Sequence, residues 1–369
     1  MKIIGYCFLI SFLWGCCIER RNETGYTIDI QSIPQCSFDE LVDEITCFPL
    51  RKSESAFFDC WELISYKGYF YLYSLSDFIV QIYDKNGWLV KRIDNRGRGR
   101  IETPTDILIN EKREELWICD SRNKLNKYTL QGDFKESLQM PISCVKMIQV
   151  GKDNILVYKS LFEKSSGFLF HLYTDEWEGV DSFIKKGNMT RVPASYSPSL
   201  FANDRRNGNK YAFICQKQMI YKYENKGLIP FIYLDFHGDF LTEEKYPLQG
   251  FSDEEMGEII SQGKYIYSVH NFQAVDDKLL FRAKGKESMF YLIDCGKLKG
   301  VKFCSLFDGY NPNLTNPVAG SDKEYLYVVQ KKEDLVKYYK DKESCYETIK
   351  SLICSDEELD GVVIRIKLK

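Results

Sequence analysis

Apolar and polar residues alternate in short runs along most of the chain. Three stretches make the pattern plain. The first holds Tyr69–Ser74, Ile79–Asp84 and Leu89–Ile93. The second holds Glu115–Asp120, Leu125–Tyr128 and Ser137–Met140, and the third Asn154–Tyr158 and Phe168–Tyr173. Such alternation marks half-buried β-strands. Tyr83, Tyr128 and Tyr173 recur every 45 residues, and Gly87 and Gly132 share that spacing. A period of about 40–45 residues with several short strands per unit predicts the blades of a β-propeller. Gly87 and Gly132 each fall between two strands, where a hairpin turn calls for positive φ.

The later units are looser. Tyr211–Cys215 with Ile220–Tyr223 makes a fourth, Lys278–Phe281 with Met289–Ile293 a fifth, and Tyr325–Val329 begins a sixth. The inner strand of the second unit is Asp106–Asn110. Pro104, just before it, has no N–H to give a ladder, which suits a strand start. Two insertions break the pattern. Ser252–Glu255 is a capping box and opens a short helix ending at Gly263. Leu335, Tyr338, Tyr339, Ile349, Leu352 and Ile353 predict one or two amphipathic helices between 331 and 354. The expected fold is therefore an all-β, six-bladed propeller with helical insertions near 252–263 and 331–354. The last strand, Gly361–Leu368, must be completed by an N-terminal strand for the ring to close. Tyr26–Ile30 and Ile45–Leu50 are the two candidates. Ile45–Leu50 is favoured, because the first blade follows it directly.

The chain opens Met1-Lys2, runs apolar from Ile3 to Trp14, and reaches Gly15-Cys16. A positive start, a short apolar core and a small residue describe a secretory signal peptide. The apolar run is too short for the roughly 20 residues that span a bilayer. Leu13–Cys16 resembles the lipobox of bacterial lipoproteins, with Trp14 standing where smaller or branched residues are commoner. The resemblance implies cleavage before Cys16 and lipidation of its thiol, and an ordinary signal peptide cut nearby is the alternative. The expected organisation is a signal peptide at 1–15, a lipidated tether at 16–25 and one propeller domain at 26–369. The expected location is the cell envelope, at the outer membrane, with the leaflet face left open by the mixed run Cys17–Arg21.

Composition adds three constraints. The formal net charge of −3 offers no nucleic-acid field. Twenty-five Tyr, 24 Phe and 5 Trp favour pleated, half-buried surfaces. Of 13 cysteines, Cys295 with Cys304 and Cys345 with Cys354 are the pairs to test for disulfides. Cys60, Cys119 and Cys215 read as small buried hydrophobes inside strands.

Asn95–Ile107, with Gly97, Gly99, Glu102, Pro104 and Asp106, is followed by Leu116–Asp120 and Lys127-Tyr128. This run resembles an NHL-type propeller repeat. With the lipobox, the chain is similar to six-bladed β-propeller lipoproteins, whose Gly-x-Gly-x-x-Glu element is matched by Gly97, Gly99 and Glu102. The resemblance implies fold and anchoring and no defined activity.

Candidate chemistry is sparse. Arg96, Arg98 and Arg100 alternate with glycines in one loop, and guanidinium forks could hold an anion there; the alternative is a solvated turn. The Gly-x-Gly lies between strands and opens no helix, which excludes a dinucleotide site. Asp235, His237 and Asp239 would share a face if they lay on a strand, a possible metal set, although Gly238 suggests a turn. His171, His237 and His270 are the only histidines. No HExxH, Gly-x-Ser-x-Gly or P-loop is present. The expectation is a non-catalytic binding module for a peptide, glycan or protein partner, with no cofactor, held to the membrane by its lipid. The alternative is a metal-dependent lyase or hydrolase with its site in the central channel.

Overall fold

The computed structural model describes residues 25–51, 59–159, 167–185, 201–214, 217–241, 252–285, 287–310, 317–340, 342, 346–355 and 358–369. Cys16, Cys215 and Cys345 lie outside the described residues.

Six sheets, antiparallel but for one added parallel strand, form six blades around a central channel. Before the first blade come β1 (Tyr26–Asp29) and β2 (Val42–Arg51). Blade 1 is β3 (Glu62–Tyr66), β4 (Tyr69–Ser74), β5 (Ile79–Asp84) and β6 (Leu89–Ile93). Blade 2 is β7 (Asp106–Asn110), β8 (Glu115–Asp120), β9 (Lys124–Thr129) and β10 (Phe134–Gln139). Blade 3 is β11 (Cys144–Val150), β12 (Asn154–Lys159), β13 (Phe168–Thr174) and β14 (Gly179–Lys185). Blade 4 is β15 (Phe201–Asn203), β16 (Lys210–Ile214), β17 (Met219–Glu224) and β18 (Gly227–Asp235). After α1 (Asp253–Gln262), blade 5 is β19 (Ser268–Val275), β20 (Lys278–Lys284), β21 (Ser288–Asp294) and β22 (Lys299–Phe303). Blade 6 holds β23 (Gly320–Ser321), β24 (Tyr325–Lys331) and β25 (Leu359–Leu368), with α2 (Lys332–Tyr339) and α3 (Glu347–Ser355) inserted between the last two.

The repeat and both insertions appear as expected. Tyr83, Tyr128 and Tyr173 occupy the third strands of blades 1, 2 and 3 and are buried. Ser252 opens α1: its N–H donates to Glu255 Oε2 at 2.7 Å, and Glu255 N–H donates back to Ser252 Oγ at 3.2 Å. Leu335, Tyr339, Ile349 and Ile353 bury α2 and α3 against blade 6. Cys60 and Cys119 are buried within their cores. Cys295 and Cys304 are not joined by a disulfide.

The ring closes as Ile45–Leu50 predicts. β2 is the outer strand of blade 6 and pairs antiparallel with β25 from Val42↔Leu368 to Arg51↔Leu359. Pro49 sits inside this strand, which is tolerable because β2 is an edge with one side unpaired. The other candidate also forms a strand. β1 pairs parallel with β18 and adds a fifth strand to blade 4. Between them, Gln35 bridges to Lys302 on blade 5. Residues 26–51 thus cross the outer edges of blades 4, 5 and 6 in turn.

Gly87 joins the closing strand to blade 1. Its φ is +83°, and a Cβ there would stand 1.8 Å from the Pro49 carbonyl oxygen. Arg51 N–H donates to Gly87 O at 2.9 Å across the same contact. Gly97 also has positive φ, at +76°, but nothing lies within 4 Å of its would-be Cβ. An L-residue in left-handed backbone costs roughly 1–2 kcal/mol. Gly97→Ala is therefore expected to lose about that much in urea unfolding. Gly87→Ala is expected to lose clearly more, because β2 must also move. Equal losses would show that the contact with Pro49 does not bear on stability.

Candidate functional site

The inner strands β3, β7, β11, β15, β19 and β23 line the channel. All six blades contribute to a cavity of about 550 Å³ within it. That size suits a small ligand or part of a larger one. Its apolar wall includes Ile64, Ile109, Ile148 and Phe201. Gln273 and Ala319–Ser321 complete the wall from blades 5 and 6.

The two ends of this wall differ in charge chemistry. Where the inner strands begin, Lys146 of β11 reaches Asp106 of β7 and Glu62 of β3. Met147 N–H donates to the second oxygen of Asp106 at 2.7 Å. Burial pulls the Lys146 ammonium down, but the Asp106 and Glu62 carboxylates outweigh it and hold the lysine above its ordinary range. Burial pushes Asp106 upward against the pull of Lys146, and Glu62 adds to the push. A nucleophilic lysine requires the opposite shift. This cluster is a clamp on blades 1, 2 and 3.

The other end is formed by turns that follow the inner strands. Glu111 and Lys112 come from the β7–β8 turn, Lys152 from β11–β12, and Arg205 from β15–β16; Lys210 opens β16. Arg205 donates to the Ser65 carbonyl of blade 1 at 2.7 Å, reaching across the ring from blade 4. Lys210 is half-buried and bonds Asn203 Oδ1. Burial, reinforced by Arg205, pulls its ammonium down to about 8. Lys112 is held by Asp153 at 2.7 Å and Asp175 at 3.1 Å.

The arginine loop lies elsewhere. Arg96 is ion-paired with Asp94 at 2.6 Å and helps line a separate hollow of about 420 Å³ with Arg92 and Glu102. Arg98 lies over the Phe134 ring at 5.8 Å, and Arg100 is exposed. The three do not meet at one point. The loop itself is held by Asp120, whose carboxylate accepts from Glu102 N–H and Thr103 N–H at 2.8 Å each. Those bonds are the physical content of the repeat's Asp position.

The Asp235–Asp239 run does not lie on a strand. β18 ends at Asp235, and His237 has φ +50° in the turn that follows. His237 pairs with Asp29 at 2.8 Å, and that hydrogen bond raises its pKa. His171 is buried, and its Nδ1 lies 2.9 Å from Ser182 Oγ. His270 is held near a pKa of 3 by burial, with Lys284 and Arg282 adding to the shift, and is neutral. Among the described residues, no group of three or more His, Cys, Asp or Glu is placed to hold a metal ion.

The sequence reading missed Lys146, Arg205 and Lys210. Lys146 had a signal, a charge alternating with apolar neighbours in an inner strand. Arg205 and Lys210 lie in the polar run Asn203–Lys210, ahead of the point where the fourth unit becomes recognisable.

A family model described as a 6-bladed β-propeller, DUF5128, matches residues 18–308. Among solved structures, a Bacteroides fragilis protein named for its presumed export is similar at a TM-score of 0.74 and 16% identity, covering 94% of this chain and 99% of its own. A member of the DUF4221 family from Bacteroides vulgatus is similar at a TM-score of 0.50 and 8% identity, covering 89% and 97%. These likenesses concern the fold. No protein with a curated description matches.

Lys146→Met would strand two carboxylates without their cation. Breaking a buried pair in this way costs about 3–5 kcal/mol. The folded pKa of Asp106, already raised by burial, would then stand further above its unfolded one. The penalty is full above the folded value and fades as pH falls toward the unfolded one. Urea unfolding should show a larger deficit at pH 8 than at pH 5. The same deficit at both would mean that the loss is one of packing.

Proposed function

Because the chain belongs to the DUF5128 family of six-bladed β-propellers, we propose that it is a non-catalytic binding module of the cell envelope, taking its ligand into the turn end of the central channel. The observation that carries this reading is the cavity of about 550 Å³ to which every blade contributes. Its walls are inner strands fixed by their own ladders, so the site is preformed and loses little entropy on binding. Its mouth is built from turns, which change without disturbing the ladders. The ligand class is a peptide, glycan or partner-protein segment, entering by a small portion.

The test is a thermal-shift screen of short peptides and oligosaccharides against wild type and Gln273→Trp. Gln273 lines the cavity, and an indole there would obstruct it. Compounds that raise the melting temperature of wild type but not of the variant support the channel site. Shifts equal in both would place binding elsewhere. Turnover of a bound compound, or stoichiometric divalent metal in the purified protein, would replace this reading with the lyase or hydrolase one.

The anchoring proposal has its own measurement. Cys16→Ser is expected to move the protein from the membrane pellet to the soluble fraction and to abolish incorporation of a labelled fatty acid. Retention of label in the variant would assign the lipid to another residue.

A further inference from the structure

The charged side chains that line the turn end of the cavity are mostly cationic. Six charged residues line the cavity: Glu62, Glu111, Lys112, Lys152, Arg205 and Lys210. Glu62 shares Lys146 with Asp106. Lys112 and Arg113 share Asp153, Asp175 and Glu176. Of the lining charges, that leaves Lys152, Arg205 and Lys210 with Glu111. Asp204, buried beside Arg205, spends its carboxylate on Arg206 N–H, the Asn207 amide and Asp277 N–H. Arg205 bonds a neutral carbonyl and Lys210 a neutral amide. Neither is ion-paired with a carboxylate among the described residues.

From this cationic lining we infer that the ligand of the channel carries a compact anionic group, a carboxylate, phosphate or sulfate, held between Arg205 and Lys210 with Lys152 at the rim. The inference rests on the channel-binding reading above and specifies its ligand. Arg205 is suited to the task. Its contact with Ser65 uses one N–H and fixes the fork across the ring, leaving other N–H groups for planar, bidentate recognition. Lys210 supplies a point charge beside it. Burial first, and Arg205 second, depress its pKa, and an anion set between the two cations would offset both. Beyond the charges, Ile109, Ile148 and Phe201 offer an apolar wall, so the anion is expected to be the head of a partly apolar group.

The probes are phenyl phosphate, phenyl sulfate and benzoate, with benzylamine and benzyl alcohol as charge controls, titrated calorimetrically into the mature-length protein. Wild type is expected to bind one or more of the anions and to prefer it to both controls. Which anion binds tightest identifies the head group. Arg205→Gln and Lys210→Met are each expected to weaken binding by about tenfold to a hundredfold, the range for one charge-assisted hydrogen bond. Lys112→Gln, whose cation is already paired, should change it less than about threefold, a salt-screened surface effect. Circular dichroism melts exclude variants that have merely unfolded. A second readout needs no variant: acylation of Lys210 at pH 8, followed by peptide mass spectrometry, should slow when the best anion is added. Benzylamine binding as tightly as the anions, or anion binding unchanged in the Arg205→Gln/Lys210→Met double variant, would overturn the inference. Neutral compounds blocked by Gln273→Trp but indifferent to Arg205→Gln would overturn the anion alone and leave the channel site standing. Compounds indifferent to both would remove the site itself.

Discussion

The fold depends on one pairing between distant parts of the chain. β2 and β25, each ten residues long, are more than 300 positions apart in the sequence and form the outer two strands of blade 6. Without that ladder, blade 6 would end on β25 and the ring would have no lock. Each blade buries one face on the blade before it and one on the blade after, so the hydrophobic core is divided among the junctions. The blade 6–blade 1 junction contains Leu50, Leu63, Phe70, Tyr83, Tyr327 and Val363, drawn from β2, β3, β4, β5, β24 and β25. A break there would expose apolar surface on two blades at once. Burial at roughly 25 cal/mol per Å² makes that opening expensive, and the loop-closure entropy is spent once, when β2 finds β25.

The same N-terminal segment manages the sheet edges. An uncovered outer strand is a template for unwanted pairing. The outer edges of blades 4 and 5 are met by β1 and by the Gln35 bridge. Blades 1, 2 and 3 have no such cover among the described residues, and β2, the outer strand of blade 6, is itself an edge. These outer strands carry exposed charge instead: Lys91 on β6, Lys135 and Glu136 on β10, Asp181 on β14, Asp43 and Glu44 on β2. Chain covers two blades and charge guards the other four.

The legible parts of the fold were those fixed by local rules. Tyr83, Tyr128 and Tyr173 announce the blades because each third strand must offer an aromatic to the neighbouring blade. Asp120 stands at a fixed place because a carboxylate is needed to hold two loop N–H groups. Ile45–Leu50 was readable as the closing strand because topology leaves few partners for Gly361–Leu368. β1 was not readable as a fifth strand of blade 4, since nothing local says that an outer edge will accept a parallel partner. The candidate site was hardly legible at all. Arg205 and Lys210 flank one turn of blade 4 and Lys152 belongs to a turn of blade 3, so the three meet only through the ring. The arginines that do cluster in sequence are drawn apart once the loop folds, Arg96 to Asp94 and Arg98 over Phe134, with Arg100 exposed.

Two groups of cations face the channel, and their different fates follow from the strands that carry them. Lys146 arises within a strand, where the fixed pleat sets its ammonium against Asp106 and Glu62 and the charge is consumed in joining three blades. Arg205 and Lys210 flank a turn, and neither is ion-paired with a carboxylate among the described residues. A cation buried within an inner strand must be neutralised for the blade to fold at all, because burying it unpaired costs several kcal/mol. A cation at a turn keeps partial contact with water and can remain uncompensated. The rim of the channel is therefore the place where this architecture can carry spare charge, and spare charge of one sign is what recognition of an opposite one requires.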